Sequence, residues 1–262
     1  MSERLIVVDE SLAYTSVITL NRPEKRNALS IDLLEDLCAA LDRAHARQRV
    51  VILKGAGPGF CSGLDLREAQ DDEKAQQSTK LVTSAFQKIM NMPLVTIAAV
   101  HGAALAGGAG LMLACDLSVA AEDAQIGFPE VRRGLVATFV MTYLRRKVTE
   151  QRARELVLLG DTISGREALE IGLVTRVASS DRVFDVAKEL ADRVLRNAPG
   201  AIIRSKTLMN DLWHLPIDQH LDRSAEVHRR VRSSSEAKEG FAAFLEKREP
   251  KWDHHVRKDH AE

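Results

Sequence analysis

The sequence lacks a net charge, because 37 lysine and arginine residues balance 37 aspartate and glutamate residues. A protein whose main partner is a nucleic acid or an anionic membrane carries an excess of positive charge on its binding surface. The balance therefore argues against both partners. Cysteine is also scarce: Cys38, Cys61 and Cys115 are an odd number without metal-ligand spacing, which favours a reducing compartment.

The sequence also lacks a run that reads as a membrane span. Residues 93–115 come closest to a membrane span, but their strand and glycine signals argue against one. The first ten residues have acids on both sides of a short apolar run, unlike a secretory signal or a transit peptide. We therefore expect a cytoplasmic protein. His254, His255 and His260 have no cysteine or carboxylate framework beside them, so we expect a solvated tail rather than a metal site.

One almost wholly apolar segment, residues 93–116, is predicted to pass from a strand through a loop into a helix. Residues 94–100 form the continuous aliphatic run that is typical of a strand buried on both faces. Gly107, Gly108 and Gly110 then stand where the helix would begin. Backbone N–H groups at a helix start have no intrahelical partner, and they attract negative charge.

Two nucleotide-binding motifs do not fit this glycine-rich segment. A dinucleotide fingerprint needs a third glycine after Gly108 and Gly110, and none follows at the required spacing. A phosphate loop needs a lysine, which the segment lacks. We therefore predict a neutral hole of main-chain donors that suits a small developing oxyanion. From these residues alone, the alternative is a glycine-rich crossing between packed elements.

Strand and helix signals alternate along the chain, which indicates an α/β fold. Buried strands are predicted over residues 15–20, 50–53 and 117–121, and Ser30 is predicted to be the N-cap of a helix. Residues 55–66 form a second glycine-rich passage between a strand and a helix. Two such passages predict a repeated strand–helix architecture.

The remaining segments are more polar. Residues 67–80 are charged and are expected to form a mobile surface segment before a helix over residues 81–91. Pro199-Gly200 is the best boundary in the chain. It divides the sequence into a core, residues 1–198, and a helical region, residues 199–262.

Six pieces of the sequence occur in the order and spacing of the crotonase, or enoyl-CoA hydratase/isomerase, family. They are residues 20–28, 60–65, 101–108, 114–116, 127–135 and 167–174. The chain resembles this family over nearly its whole length. The resemblance implies a spiral of strand–strand–helix repeats, followed by a C-terminal helical region that builds trimers, usually paired as hexamers. It also implies an acyl-CoA thioester substrate and no metal or redox cofactor.

The resemblance also assigns residues to the substrate. Two backbone N–H groups that bind the thioester oxygen map onto Leu64 and Gly107, and we expect both at helix starts. Removing one such donor typically costs about 3 kcal/mol of transition-state stabilisation. The implied contacts of coenzyme A are Ser62, Leu64, Asp65, Leu66, Arg67 and Gly107, with Arg22, Lys25 and Arg26 at the nucleotide end and Lys247 reaching a neighbouring subunit's phosphate. Without the resemblance, these cations would be read as solvated surface charges.

Family members that hydrate 2-enoyl-CoA use two glutamates around one water. The second glutamate matches Glu130, but the first falls on Gly110, which cannot transfer a proton. One carboxylate beside an oxyanion hole suffices to move a double bond, so the residues favour isomerisation. Apolar neighbours such as Phe128 would raise the pKa of Glu130, as would Val131 and Leu135. Arg132 or Arg133 would lower this pKa if either pointed inwards.

Three alternatives stay open at this stage. The first is hydration with an atypical site, in which Asp65 or Glu68 supplies the second carboxylate, although Asp65 is more simply read as holding its turn. The second is thioester hydrolysis by Ser62 or Cys61 with His101 as base. The third is a member that binds acyl-CoA without catalysis.

Overall fold

The strands of the protein form two sheets. In the computed structural model, which describes residues 4–254, the strands are β1 (Ile6–Asp9), β2 (Thr15–Leu20), β3 (Val50–Gly55), β4 (Val95–Val100), β5 (Ala103–Leu105), β6 (Leu117–Ala121), β7 (Gln125–Gly127), β8 (Thr162–Ser164) and β9 (Arg176–Ala178). The larger sheet has the order β1-β2-β3-β4-β6-β9, and the smaller has the order β5-β7-β8. In the larger sheet, β1 is antiparallel to β2 and all other neighbours are parallel.

The two sheets are built together as the chain advances. Strands β4 and β6 of the larger sheet are each followed by a strand of the smaller one, β5 and β7. Earlier in the chain, parallel bridges between Leu29 and Leu64 and between Cys61 and Ala104 extend the smaller layer. Successive turns of chain therefore add one extended segment to each layer, which is the strand–strand–helix spiral that the sequence predicts.

Helices cover the sheets and form the end of the described chain. They are α1 (Ile31–Arg47), α2 (Asp72–Asn91), α3 (Gly107–Ala114), α4 (Thr138–Lys147), α5 (Glu150–Leu159), α6 (Gly165–Glu170), α7 (Val183–Leu195), α8 (Pro199–His214), α9 (His220–Arg232) and α10 (Ser235–Leu245). The Ser30 hydroxyl accepts the Leu33 N–H and caps α1, as predicted. Among residues 4–254, no helix has the length and apolarity that a bilayer crossing requires.

Helix α2 begins earlier than the sequence suggests. The Asp71 carboxylate accepts the N–H groups of Glu73 and Lys74 at 3.0 Å each, which makes Asp71 the N-cap. Acidic residues in this first turn also favour the helix dipole. The prediction of a mobile segment over residues 67–80 is therefore wrong for most of its length, because its charges mark a helix start.

Helix α3 is the most apolar helix of the core. Its residues from Gly108 to Ala114 are all buried, and it packs against α2 and α4. The preceding strand β4 is buried at every position, as predicted for a strand covered on both faces. The start of α3 is thereby held between the two sheets and the helices that cover them.

The C-terminal helices attach to the core through a buried lysine on α8. The Lys206 ammonium donates to the carbonyl oxygens of Leu94 at 3.0 Å and Ile89 at 3.4 Å. It also pairs with the Asp116 carboxylate at 2.8 Å, just after α3. Helix α8, which begins at Pro199, is therefore joined to the core by a charge-assisted cluster, and the predicted division of the chain at this point stays a prediction.

This C-terminal region exposes an unusual amount of apolar side chain. The large exposed apolar residues from α8 onward are Met209, Trp213, Ile217, Leu221, Phe241, Phe244 and Leu245. A large exposed apolar patch in a globular protein is often an interaction surface. The surface is consistent with the expected trimer or pair of trimers, which stays a prediction.

Candidate active site

A cavity of 490 Å³ opens between α2, the start of α3, the segment that leads into α4, and the 3₁₀ turn Pro129–Arg133. This volume lies within the range of about 300–1,000 Å³ that is usual for ligand pockets. Five predicted site residues line it: Ser62, Leu64, Leu66, Gly107 and Glu130. The fold therefore brings the two expected backbone donors and the expected base into one cavity.

The N–H groups of Leu64 and Gly107 are close together and are not used by the fold. A β-carbon placed on Gly107 would lie 3.6 Å from the Leu64 nitrogen, and one placed on Gly63 would lie 3.2 Å from the Gly107 nitrogen. Neither N–H donates a backbone hydrogen bond within residues 4–254. Both residues line the cavity, and their expected role as a pair of donors to one oxygen atom stays a prediction.

The two donors become available in different ways. Gly107 is the first residue of α3, as predicted. The prediction that Leu64 also lies at a helix start is wrong, since it forms a strand-like bridge with Leu29. In this bridge the Leu29 N–H donates to Gly63 at 2.8 Å and the Asp65 N–H donates to Leu29 at 3.1 Å. A parallel bridge uses the groups on either side of Leu64, so its own N–H faces away.

The backbone beside the donors adopts conformations that are uncommon elsewhere. Ala106, immediately before Gly107, has φ 49° and ψ −122°. Gly63, immediately before Leu64, has φ +99°, and a β-carbon there would lie 3.0 Å from the Ala106 β-carbon. Backbone strain of this kind tends to occur at functional sites, where the surrounding structure maintains it.

Glu130 lies in the 3₁₀ turn on the cavity wall. The turn begins with Pro129 after the fully buried Phe128 and ends at Gly134 in the left-handed conformation. The Glu130 Oε2 atom is buried and has no hydrogen-bond partner in the described chain. Burial raises the pKa of this carboxyl, while its own backbone N–H and the Arg133 guanidinium oppose the rise. The direction agrees with the prediction.

The arginines beside Glu130 point in different directions. Arg132 pairs with Asp161 on the surface. Arg133 lines the cavity, with its guanidinium 3.4 Å from the Pro129 oxygen. Of the apolar neighbours expected around Glu130, Leu135 lines the cavity, but Val131 is 37% exposed and lies outside its lining. Leu135, although it lines the cavity, is itself 49% exposed.

The position of Gly110 leaves no room for a side chain. A β-carbon there would lie 2.6 Å from Cζ and 2.7 Å from Cε2 of Phe86, and 3.4 Å from a methyl group of Val140. Phe86 is itself buried and packs edge-on against Tyr143. A second glutamate at residue 110 would therefore have to displace a packed aromatic ring.

The other candidate carboxylates are engaged elsewhere. Asp65 pairs with Arg22 at 2.7 Å and accepts the Arg67 N–H at 3.1 Å, so it holds its turn as expected. Glu68 accepts the N–H of Ile31 at 2.9 Å and thereby helps to cap α1. Neither residue lines the cavity. Within the described residues, the cavity lining therefore contains one carboxylate, that of Glu130.

Some of the residues expected around coenzyme A line the cavity, and others lie outside its lining. Leu66 is 48% exposed at the cavity, whereas Arg67, Lys25 and Arg26 are exposed outside its lining. The basic loop is held next to the cavity, because the Ser62 N–H donates to the Arg26 carbonyl oxygen at 3.0 Å.

Arg22 and Lys247 differ from the other expected contacts. Arg22 is half-buried and also donates to the Ala28 carbonyl oxygen at 3.2 Å. Lys247 is exposed just beyond α10, away from the cavity lining. Its expected contact with a neighbouring subunit stays a prediction.

The nucleophile–base pair required for hydrolysis is not assembled in the described chain. The Cys61 thiol is fully buried and donates to the Asn27 carbonyl oxygen at 3.1 Å, and burial raises its pKa to about 12. His101 contacts the Gly57 carbonyl oxygen at 2.9 Å and does not line the cavity. Ser62 lines the cavity without a histidine in its lining. The geometry disfavours this alternative.

The sequence reading missed two kinds of residue. Asn27 is fully buried, and its amide donates to the carbonyl oxygens of Ala56 and Gly59 at 2.9 Å each, which shapes the loop before Leu64. The face of α2 that lines the cavity was also missed, because this part of the helix was read as a mobile segment. Its helical spacing is visible in the sequence as Ala75, Ser78, Thr79 and Val82.

Of the three tail histidines, His254 lies within the described residues, and its ring is 4.8 Å from that of Tyr14. His254 is half-buried and also contacts Arg49, so this residue is not part of a solvated tail. His255 and His260 lie outside the described residues.

Comparison with known proteins shows the family of the chain. The model of the family "Enoyl-CoA hydratase/isomerase" matches residues 11–255. The chain belongs to the enoyl-CoA hydratase/isomerase family. An enoyl-CoA isomerase/hydratase of Mycosarcoma maydis, fer4, is 32% identical over 258 residues, which cover 92% of this chain and 94% of that protein.

Solved structures of the enoyl-CoA hydratase/isomerase family share the fold. The enoyl-CoA hydratase of Mycobacterium smegmatis superposes with a TM-score of 0.91 at 30% identity, over 95% of this chain and 99% of that one. The enoyl-CoA hydratase of Bacillus anthracis superposes with a TM-score of 0.90 at 33% identity, over 95% of this chain and 99% of that one. The crotonase-like α/β fold with its C-terminal helices is therefore confirmed, and the chain is an enzyme of the hydratase/isomerase type.

Proposed function

We propose that this enzyme moves the double bond of a 3-enoyl-CoA to the 2-position, with Glu130 as the sole acid and base. The observation that carries the proposal is the single carboxylate in the lining of the cavity. Its Oε2 atom is buried without a partner, and its pKa is raised by burial. A carboxylate in this state is a stronger base than an exposed one, and it shares the cavity with two unused backbone donors.

The reaction transfers one proton out and one proton back. The Glu130 carboxylate removes a proton from C2, and the electron pair of that C–H bond delocalises through the double bond and the thioester carbonyl. The N–H groups of Leu64 and Gly107 donate to the oxygen on which negative charge develops. The protonated Glu130 then returns its proton to C4, and the double bond lies between C2 and C3. The balance requires no oxidant, reductant or metal ion.

Hydration is the second candidate, and the similarity to solved enoyl-CoA hydratases favours it. Hydration adds the oxygen of water to one carbon and a proton to its neighbour. It would therefore need a second acid or base beside Glu130. At residue 110 the Phe86 ring fills the space for such a group, and Asp65 and Glu68 are engaged outside the cavity lining. These contacts support isomerisation over hydration.

Binding of the coenzyme A part is proposed to use the rim of the cavity. Ser62, Leu64 and Leu66 lie beside the thioester, with Asp65 and Arg67 on the adjoining turn. Lys25 and Arg26 provide positive charge for the phosphates, and Arg22 holds the loop by its pair with Asp65. We further propose a homotrimer, alone or paired, in which Lys247 contacts the coenzyme A bound to a neighbouring subunit.

The proposal is tested by mixing the purified protein with 3-hexenoyl-CoA and following the ultraviolet absorbance of the conjugated 2-enoyl thioester. We expect a rise that Glu130→Gln reduces by about 10²–10⁴-fold in kcat, the usual contribution of a general acid or base. Glu122→Gln, which changes a surface carboxylate paired with Arg166, is the matched control and should retain full activity. No rise with the wild type, combined with loss of absorbance from 2-hexenoyl-CoA, would identify hydration instead.

A further inference from the structure

Arg133 is the one positively charged side chain in the cavity lining, within the part of the chain that the structure describes. It ends the 3₁₀ turn Pro129–Arg133, which also carries Glu130. Side chains three positions apart in such a turn lie on the same side, because it has about three residues per turn. The guanidinium donates to the Pro129 carbonyl oxygen at 3.4 Å, and its charge opposes the rise in the pKa of Glu130. Arg133 and Glu130 therefore face the same part of the cavity.

The charge of Arg133 is not neutralised by an ion pair. Among residues 4–254, its guanidinium forms no salt bridge with Glu130 or with any other carboxylate. The preceding residue, Arg132, is paired with Asp161 on the surface instead. A guanidinium carries several N–H donors, and Arg133 uses one of them in a long bond to a carbonyl oxygen. Its other donors are therefore available to an anion that enters the cavity.

The rest of the lining offers an anion no second positive charge. The other side chains are mostly apolar, and the polar ones apart from Glu130 are hydroxyls, those of Ser62, Ser78, Thr79 and Thr138. These hydroxyls are neutral and are able to bond to water, so they do not select for an anion. A carboxylate in such surroundings is unfavourable without a cation, and Glu130 would repel it. Arg133 is therefore the group that decides whether an anionic acyl chain is bound.

We propose that the enzyme acts on acyl-CoA thioesters whose acyl chain ends in a carboxylate, and that Arg133 binds this carboxylate. The inference rests on the proposed function in taking this cavity as the acyl site. In a 3-enoyl-CoA the double bond joins C3 and C4, so C5 is the first carbon that is free to be the carboxylate. Because Glu130 is proposed to act at C2 and C4, a guanidinium beside it lies near the carbons that follow. The planar fork of an arginine also matches the two oxygens of a carboxylate.

The test measures binding and not turnover, so it is independent of the reaction. Pentanoyl-CoA and hexanoyl-CoA, with plain chains, are compared with pentanedioyl-CoA and hexanedioyl-CoA, which end in a carboxylate. Each is titrated by calorimetry into the full-length wild type and into Arg133→Met. We expect the wild type to bind at least one carboxylated thioester as tightly as the plain chain of the same length, or more tightly. In Arg133→Met the dissociation constant of that thioester should rise about three- to tenfold, and those of the plain chains should not.

Two controls separate this role from other effects of the lost charge. Arg132→Met removes the same charge from the same turn, outside the cavity lining, and should not change the preference for the carboxylated chain. Coenzyme A without an acyl group is the second control, and it should bind equally to the wild type and to Arg133→Met. Equal weakening of coenzyme A and of all four thioesters would assign Arg133 to the coenzyme A part and would overturn the proposal.

Other outcomes also contradict the proposal. A wild type that binds both carboxylated thioesters more weakly than the plain chains of the same length would exclude the proposed substrate class. A preference that changes no more in Arg133→Met than in Arg132→Met would exclude the proposed contact. An intact preference without double-bond migration in any 3-enoyl-CoA would overturn the proposed function alone. Migration in 3-hexenoyl-CoA without the preference would overturn the present proposal alone.

Discussion

The ring of Phe86 lies against the backbone of Gly110, so that a β-carbon on residue 110 would come within 2.6 Å of Cζ. Helix α3, whose first residue is Gly107, can approach α2 this closely because residue 110 has no side chain. The same contact fills the place where a hydratase of this family would carry its first glutamate. One pair of residues thus affects both the packing of the helix and the number of carboxylates in the site.

Gly110→Ala is therefore expected to destabilise the protein, although alanine favours helices. The added methyl group must displace a buried ring, and overpacking of this kind costs about 1–3 kcal/mol. Gly240→Ala in α10 is the matched control, since its β-carbon would make an ordinary 3.5 Å contact with Trp252. This control should be neutral or stabilising by about 0.5–1 kcal/mol, which is alanine's usual advantage over glycine in a helix interior. Urea unfolding of both variants measures the difference, and equal effects would contradict the packing argument.

The activity should depend on a carboxylate that titrates above its usual value of 4.5. Because the base must be ionised, kcat/KM should fall on acidification with a midpoint above that value. The same shift has a consequence for stability. Since the folded-state pKa is raised, ionisation of Glu130 favours unfolding, and its contribution to stability decreases as pH rises through the folded pKa.

Thermal unfolding of Glu130→Gln between pH 4 and 8 provides the measurement, with pH values chosen to span this midpoint. The midpoint of thermal unfolding of Glu130→Gln should rise relative to that of the wild type as pH increases. Glu122→Gln, which removes a surface carboxylate outside the cavity, is measured in parallel as the control. A constant difference between Glu130→Gln and the wild type would show that the carboxyl is not perturbed by folding.

Arg22 and Asp65 should behave as one structural unit. Their side chains are 18% and 12% exposed and pair at 2.7 Å. Breaking the pair on either side removes a hydrogen bond between charged groups and should cost about 1.5–3 kcal/mol. Arg22→Met, Asp65→Asn and the double variant form a cycle in urea unfolding, and we expect the double variant to lose little more than either single one.

The same variants test whether Arg22 also contacts the substrate. If Arg22 acts through Asp65, both single variants should weaken coenzyme A binding to the same extent. A larger loss in Arg22→Met than in Asp65→Asn would instead assign the guanidinium a direct contact with the phosphates.

Lys206→Met should destabilise the attachment of α8 to the core. It leaves the carbonyl oxygens of Ile89 and Leu94 without this donor and Asp116 without its cation. Asp116 keeps its hydrogen bonds from the N–H and hydroxyl of Thr96 and is 25% exposed. We therefore expect the free energy of unfolding to fall by about 3 kcal/mol, the lower end of the range for a broken buried ion pair. The exposed Lys80→Met is the control and should change the free energy of unfolding by less than about 0.5 kcal/mol. A similar loss in both variants would contradict the cluster's role.

The sequence by itself determined the local elements whose signals lie within a few residues. Strands β2 and β6 were predicted at their observed bounds, because aliphatic runs bounded by polar residues favour buried strands. The N-cap at Ser30 also follows from a side chain that bonds to its own helix start. The family motifs, spread over most of the chain, added the fold and the position of Glu130.

Tertiary structure alone decided which side chains meet. The charged stretch from Asp71 onward forms the first turns of α2 and includes Ser78 in the cavity lining. Its many charges did not predict a helix, whereas packing of α2 against α1 stabilises one. The free N–H of Leu64 results from a bridge with Leu29, and the filled space at Gly110 results from Phe86 on another helix. Contacts between residues distant in the chain have no local signal, since they depend on how the whole spiral closes around its core.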